Sequence, residues 1–134
     1  MRGLVPVVAA LALGACQAGA DTDAAEAQVA AFHAGYDAER FEPLFAKASP
    51  TLKELTPREQ FVGFLAETHK RLGRVKSATR TGWNVNYGTE GSQVTLTYET
   101  AFANGTATET FVYDTKDPPR LMGYHINAPT VAAP

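Results

Sequence analysis

One carboxylate, Glu109, could carry acid-base chemistry because the sequence places it among apolar side chains. The dipeptide Asn104-Gly105 predicts a type I′ hairpin turn, since that turn needs positive φ at both central positions. A turn there sets Thr100 opposite Glu109, and Glu109 then falls on the face of the apolar row. A carboxylate in that place is desolvated, so it is either a reactive group or an acceptor satisfied by a donor.

Glu109 and three aromatic residues form a candidate ligand pocket between the predicted helices and a curved sheet. Its members are Trp83, Tyr98, Glu109 and Tyr124. The alternative is that Glu109 reaches solvent at the sheet rim or bonds Thr100, and an inward charge near a strand end also protects against aggregation. We take this second arrangement as the expectation, and we predict no catalytic residue.

His125 can face Glu109 in only one register of the last two strands. Pairing Asp114 with Arg120 would set His125 opposite Glu109 but would turn three apolar side chains away from the core. A one-residue slip buries Met122, Tyr124 and Ile126. Each is worth ~1.5–3 kcal/mol when buried, so we expect the slip, with His125 facing outward.

The remaining histidines and the serines lack the spacing of known catalytic or metal-binding motifs. His33 and His69 occur singly on amphipathic segments, with no second ligand three or four residues away. Ser49, Ser77 and Ser92 lie outside any G-x-S-x-G motif, and no glycine-rich phosphate loop precedes a helix. We therefore predict no metal, no cofactor and no enzymatic activity.

The charge pattern argues against nucleic acid as a partner. The chain has 134 residues and a formal net charge of −2, and its sequence contains only one cluster of basic residues. That cluster is Lys70, Arg71, Arg74 and Lys76. Cations at the end of a helix complement its partial negative charge, whereas a nucleic-acid binder concentrates many cations against phosphates.

The N-terminus has the anatomy of an export signal. Arg2 supplies a positive charge, residues 4–13 are apolar, and the small residues Gly14 and Ala15 follow. The apolar stretch is shorter than the ~20 residues that a membrane-spanning helix needs. Residues 1–15 are thus predicted to be a signal peptide.

The residue after this signal, Cys16, is the single cysteine of the chain. Leu13-Gly14-Ala15-Cys16 resembles a lipobox, the site at which bacterial prolipoproteins are acylated on cysteine and then cleaved. The resemblance implies a lipid attachment at Cys16, with palmitate among the acyl chains, and a membrane partner. The alternative is a secreted periplasmic protein cleaved after Ala20, because Ala18-Gly19-Ala20 is also an export cleavage site.

The residues from Cys16 to position 24 predict a flexible tether and indicate the membrane to which the protein is sorted. Residues 16–24 are small, polar and acidic without periodicity, which predicts a flexible tether. By resemblance to enteric lipoproteins, Gln17 implies the outer membrane, with the domain facing the periplasm.

Residues 25–127 are predicted to form one α+β domain, which begins with helices. Val29, Phe32 and Tyr36 recur at helical spacing, and a second short helical segment follows and ends before Pro50. Thr56-Pro57-Arg58-Glu59 predicts a capping box, with Gly73 ending that helix. Its predicted buried face comprises Phe61, Phe64, Leu65, Thr68 and Leu72.

After Gly73 the apolar period changes to two, which predicts four strands. Val75 to Tyr87 places Trp83, Val85 and Tyr87 on one face and Arg80, Asn84 and Asn86 on the other. The next strands comprise residues 94–102, 106–114 and 121–127, and residues 128–134 are expected to be a tail. The N-terminal helices should pack on one face of a four-stranded antiparallel meander.

Four short segments resemble a family of small bacterial domains with cystatin-like or nuclear-transport-factor-2-like α+β folds. They are residues 61–65, 83–86, 104–111 and 123–127. Such domains often follow a lipoprotein signal, but the resemblance implies no activity.

The sequence thus predicts a lipid-anchored protein of the bacterial cell envelope. Its domain would be a non-enzymatic module that binds an envelope protein or a small apolar ligand, or that serves as an accessory subunit. The alternative is a pocket enzyme of isomerase type that uses Glu109.

Overall fold

The computed structural model describes the backbone of residues 8–89 and 91–131 and the side chains of residues 16–89 and 91–128. Within these ranges four helices precede four strands: α1 (Val8–Asp37), α2 (Phe41–Ala46), α3 (Pro50–Leu55), α4 (Arg58–Leu72), β1 (Val75–Gly88), β2 (Gly91–Phe102), β3 (Gly105–Asp114) and β4 (Leu121–Val131). The strands form one antiparallel sheet in chain order. The predicted α+β fold is therefore confirmed.

Helix α1 includes the segment that was predicted to be a flexible tether. Residues 16–24 are helical, and both Thr22 and Ala25 are buried. The Thr22 hydroxyl donates to the Ala18 carbonyl at 2.8 Å, and the Tyr87 hydroxyl donates to Asp21 at 3.0 Å. The tether prediction is wrong because alanine favours helix and because this segment has contacts on the sheet.

The signal-peptide prediction falls partly outside the described residues, which omit 1–7. Among the helices of residues 8–89 and 91–131, none combines the length and apolar character required to cross a membrane.

The first two helical segments follow the predicted pattern, but α3 was not predicted. Val29, Phe32 and Tyr36 are all buried along α1, and α2 is the expected short second helix. Helix α2 ends at Ala46, before Pro50 as predicted, and Pro50 begins α3 because proline suits the first position of a helix. The Ser49 hydroxyl caps this helix by accepting from the Leu52 amide.

Helix α4 begins at Arg58 without the predicted capping box. Thr56 is extended and ends α3, its amide donating to the Leu52 carbonyl, so its side chain does not cap α4. Phe64 lies outside the buried face and is 46% exposed, whereas Phe61, Leu65, Thr68 and Leu72 are buried. Gly73 ends the helix with φ of +80°, as the sequence predicted.

The pairing of β2 with β3 is shifted by two residues from the predicted register, because Glu109 lies opposite Tyr98 and not opposite Thr100. Phe102 pairs with Gly105, so Ala103 and Asn104 form the turn, and neither Asn104 nor Gly105 has positive φ. The Ala103 amide donates to the carbonyl of Arg74, just before β1, and the Asn104 amide donates to that of Leu72, the last residue of α4, which holds the turn in this form. A shift of two residues preserves the faces, so Glu109 still points inward.

An irregularity in β1 overturns another predicted placement. The pairing with β2 shifts between Arg80 and Gly82, so Arg80 shares the inner face with Trp83 rather than opposing it.

The predicted one-residue slip is present, but it lies within β4 at the half-buried Met122 and not in the Pro118-Pro119 loop, and the strand is longer than expected. Tyr113 pairs with Leu121 and Val112 with Gly123, so Met122 is the extra residue. Tyr124 and Ile126 are half-buried and His125 is exposed, which confirms the outward position of His125. Residues 128–131 were predicted to be a tail but continue β4, and residues 132–134 lie outside the described chain.

Candidate functional site

Glu109 lies at the centre of a polar cluster in the core, which we call the Glu109 cluster. Its members are His33 on α1, Thr100 on β2, Glu109 on β3 and Tyr124 on β4. The carboxylate oxygen Oε1 lies 2.7 Å from His33 Nε2 and 2.6 Å from the Thr100 hydroxyl, and Oε2 lies 2.5 Å from the Tyr124 hydroxyl. Glu109 is only 1% exposed, so these three groups replace its hydration.

Each partner reaches Glu109 because of its position in the fold. Tyr98 is directly opposite Glu109 on β2, and Thr100 is the next residue on the same face, so its hydroxyl approaches diagonally. Tyr124 lies opposite Phe111, one step along the inner face of β3. His33 lies on α1, which packs on the inner face of the sheet, and its ring reaches Glu109 from that helix.

The hydrogen-bonding capacities of the four side chains match. A carboxylate only accepts, and the hydroxyls of Thr100 and Tyr124 and the Nε2–H of His33 can all donate to it. The cluster is thus complete with Glu109 ionised. Bonds of this charged type are shorter and stronger than neutral ones, and low-dielectric surroundings strengthen them further.

Aromatic rings surround the cluster. The Phe111 ring centre lies 5.2 Å from that of Phe32, 5.7 Å from that of His33 and 5.1 Å from that of Tyr124. Phe32 and Tyr124 are 4.9 Å apart. These rings fill the space between α1 and the sheet and limit the access of water to the carboxylate.

The phenols around the cluster are held in their neutral form. Burial, the negative charge of Glu109 and the hydrogen bond to it together hold the pKa of Tyr124 well above its ordinary value of 10.0. Burial is also the main cause that raises the pKa of Tyr36, Tyr98 and Tyr113. Protonated phenols are donors, which is the role that Tyr124 has here.

The structure brings together part of the predicted pocket. Glu109 and Tyr124 are bonded, and the buried Tyr98 ring meets Phe111 edge to face at 5.9 Å. Trp83 is not in this group, because it lies on the edge strand and is 56% exposed. The expected bond between Thr100 and Glu109 is present, but Glu109 does not reach solvent.

His33 is the member that the sequence interpretation missed. The pattern indicated only an isolated histidine on an amphipathic helix. Its spacing of four residues from the buried Val29, however, places it at the border of the apolar stripe, where a polar side chain must find a partner. An inward carboxylate and a histidine on the stripe of the covering helix are the pair of signals that could have identified the contact.

Tyr124 also borders an open groove of about 440 Å³ between α3, α4 and β4. The apolar lining consists of Leu52, Leu55, Phe61, Phe64, Met122 and Tyr124, with Gln60 and His125 among the polar residues. Glu109 does not line this groove, but it accepts a hydrogen bond from Tyr124, which does.

Within the described part of the chain, no three His, Cys, Asp or Glu side chains are grouped in a way that could hold a metal ion.

His69 packs its ring 4.9 Å from that of Tyr36, and its buried Nε2 has no partner among the described residues.

We expect Glu109→Gln to lower the free energy of unfolding by about 1–3 kcal/mol, because the amide replaces one acceptor oxygen with a donor opposite buried donors. Glu99→Gln is the matched control, since Glu99 accepts from Thr108 in a similar cross-strand pair but is exposed. It should change stability by less than about 0.5 kcal/mol. Denaturant unfolding measures both, and equal effects would contradict a structural role for the buried cluster.

We also expect the protein to lose stability in alkali. The folded pKa values of Tyr36, Tyr98, Tyr113 and Tyr124 are raised above the unfolded value, so their contribution is complete below about pH 10 and falls as the pH rises above it. In a Tyr87→Phe variant, which removes the exposed tyrosine, phenolate absorbance and circular dichroism should then change together. Ionisation of these tyrosines at their ordinary pKa in a chain that stays folded would refute this.

No family model matches the chain, and no curated protein matches it.

Proposed function

We propose that this chain is a lipid-anchored protein of the bacterial cell envelope and that its α+β domain binds a small apolar ligand. The ligand would occupy the groove between α3, α4 and β4. The observation that supports binding is the exposure of Leu55 and Phe64 at this groove, 76% and 46%, in a domain whose other large apolar side chains are mostly buried. Exposed apolar surface at a concavity is typical of a binding site.

The proposed location at the cell envelope depends on acylation of Cys16. It is exposed on α1 and unpaired, so its thiol is accessible for acylation. Two or more acyl chains would hold the protein firmly, at ~0.8 kcal/mol for each buried methylene. The domain would then face the periplasm from the outer membrane.

The groove has the size and chemistry of a small-ligand site. Its volume of about 440 Å³ lies within the range of ligand pockets, roughly 300–1,000 Å³. Apolar side chains form most of its wall, while Gln60 and His125 offer hydrogen bonds. These features fit an apolar body with one polar group, such as a fatty acid.

The environment of Glu109 favours a binding module over the isomerase alternative. A general base must reach a substrate proton directly or through one water. Both oxygens of Glu109 already accept hydrogen bonds, and the side chain is buried. The carboxylate is therefore placed to hold α1 on the sheet.

We expect cells that express the full chain to incorporate a labelled fatty acid into this protein, and we expect Cys16→Ser to abolish the label. The substituted serine keeps a similar size and polarity but lacks the thiol that is acylated. Gel fluorography of the immunoprecipitated protein measures the incorporation. A wild-type band without label would refute the anchor and favour cleavage after Ala20.

For the groove, we expect a photoreactive fatty acid added to envelope preparations to crosslink to peptides from α3, α4 or β4. Phe64→Asp should remove these adducts, because it puts a charge in the groove at a half-exposed position. Thr79→Asp is the control, since it adds the same charge at an exposed position outside the groove. Mass spectrometry locates the adducts, and adducts that persist in Phe64→Asp would contradict the site.

A further inference from the structure

Clefts, exposed aromatic side chains and cations outside the groove lie toward one end of the sheet. In the antiparallel order, the turn between β1 and β2 and the loop between β3 and β4 lie at the same end. A cleft of about 620 Å³ connects them, with Gly88 and Thr89 on one side and Lys116 and Arg120 on the other. We call this the turn-loop end: residues 87–89 and 91–92 together with the loop residues 115–120.

Helix α1 leads from this end toward Cys16. Asp21 accepts a hydrogen bond from Tyr87 at 3.0 Å, and Glu26 forms an ion pair with Arg80 at 3.2 Å. Higher numbers on α1 thus match lower numbers on β1, so the helix runs antiparallel to the strand and Cys16 lies beyond Tyr87. The helical rise puts Cys16 only ~7.5 Å from Asp21 along the axis.

Two exposed aromatic residues lie on β1 toward the same end. Trp83 and Tyr87 are 56% and 52% exposed, and both lie on the face of the strand over which α1 passes. Tryptophan and tyrosine are enriched where protein meets the headgroup region of a membrane, because their rings are apolar and their polar atoms stay in contact with water.

Cations line a second cleft at this end, of about 530 Å³. They are Lys47, Lys53, Lys116 and Arg120, and Asp117 is the acidic residue beside them. The segment that carries Lys47 is tied to the start of β4 by a bond from the Ser49 amide to the Leu121 carbonyl. Arg120 is paired with Asp114, whereas Lys47 and Lys116 form no ion pair with the described residues.

We propose that the turn-loop end, together with Trp83 on β1 and Lys47 at the end of α2, is a membrane-contact surface. Trp83 and Tyr87 lie at the headgroup region, and Lys47 and Lys116 bind the phosphates of anionic phospholipids. The inference depends on the proposed acylation of Cys16, and it is independent of any ligand in the groove. It gives the domain one orientation, because α1 joins the acylated residue to the sheet through packed helix instead of a flexible tether.

Depth-dependent quenching tests this orientation because Trp83 is the single tryptophan of the chain. The processed protein is purified from membranes of cells expressing the full chain and reconstituted into vesicles with brominated acyl chains. Two variants move the tryptophan along β1 and its turn: Trp83→Phe with Thr89→Trp, and Trp83→Phe with Lys76→Trp. Thr89 and Lys76 are both exposed, and position 76 lies ~23 Å from position 83 along the strand.

We expect the bromine atoms to quench tryptophan most strongly at position 89, less at position 83 and not measurably at position 76. Equal or reversed quenching in an acylated protein would overturn the membrane-contact surface alone. The mass of the N-terminal peptide is measured on the same samples. A peptide without acyl chains would overturn the proposed anchor, and the contact surface with it.

The lysines are tested by changing the vesicle charge. Replacing part of the phosphatidylcholine with phosphatidylglycerol should increase the quenching of Trp83, and Lys47→Gln with Lys116→Gln should remove this increase. The matched control, Lys70→Gln with Lys76→Gln, removes the same charge from positions outside the turn-loop end and should retain it. An increase that survives the first pair would refute headgroup binding by these lysines.

Discussion

The buried carboxylate of Glu109 is the constraint on which the arrangement of helix and sheet depends. An ionised group removed from water costs several kcal/mol unless donors replace its hydration. Here the donors come from α1, β2 and β4, so Glu109 is satisfied only when His33 is over the sheet and β4 is in its observed register. Apolar contacts alone would tolerate sliding of α1, whereas a hydrogen bond of 2.7 Å does not. The cluster therefore specifies one docking of α1.

The fold was predictable where local pattern and tertiary packing agree. The apolar residues that recur along α1 and alternate along β2 are the ones that the structure buries. Gly73 has the positive φ that its position at a helix end suggests. Prediction failed where a tertiary contact decided the outcome. Asn104-Gly105 is a strong local signal for a type I′ turn, but backbone hydrogen bonds to the carbonyls of Leu72 and Arg74 select another turn. Helix α3 was missed for a local reason, because Pro50 can begin a helix as well as follow one, and Ser49 caps it.

For the candidate site, the inward face of Glu109 followed from strand alternation, and the outward face of His125 followed from the cost of exposing Tyr124 and Ile126. Those inferences need only the period of a strand. The contact between His33 and Glu109 joins residues 76 positions apart, and no local pattern sets where a helix crosses a sheet. Trp83 was misplaced for a related reason, since alternation gives its face but not whether α1 extends far enough to cover an edge strand.

The same helix connects the core to the proposed membrane anchor. His33 and Tyr36 fix the middle and the end of α1, through Glu109 and through the Gly73 carbonyl, while Asp21 fixes its earlier turns through Tyr87. With these attachments along one helix, the direction in which Cys16 leaves the domain is set by the core. An acylated Cys16 would then transmit the orientation of the bilayer to the whole sheet. The exposed aromatic residues and lysines occur at the end that such an orientation would bring to the membrane, which a freely moving tether would not require.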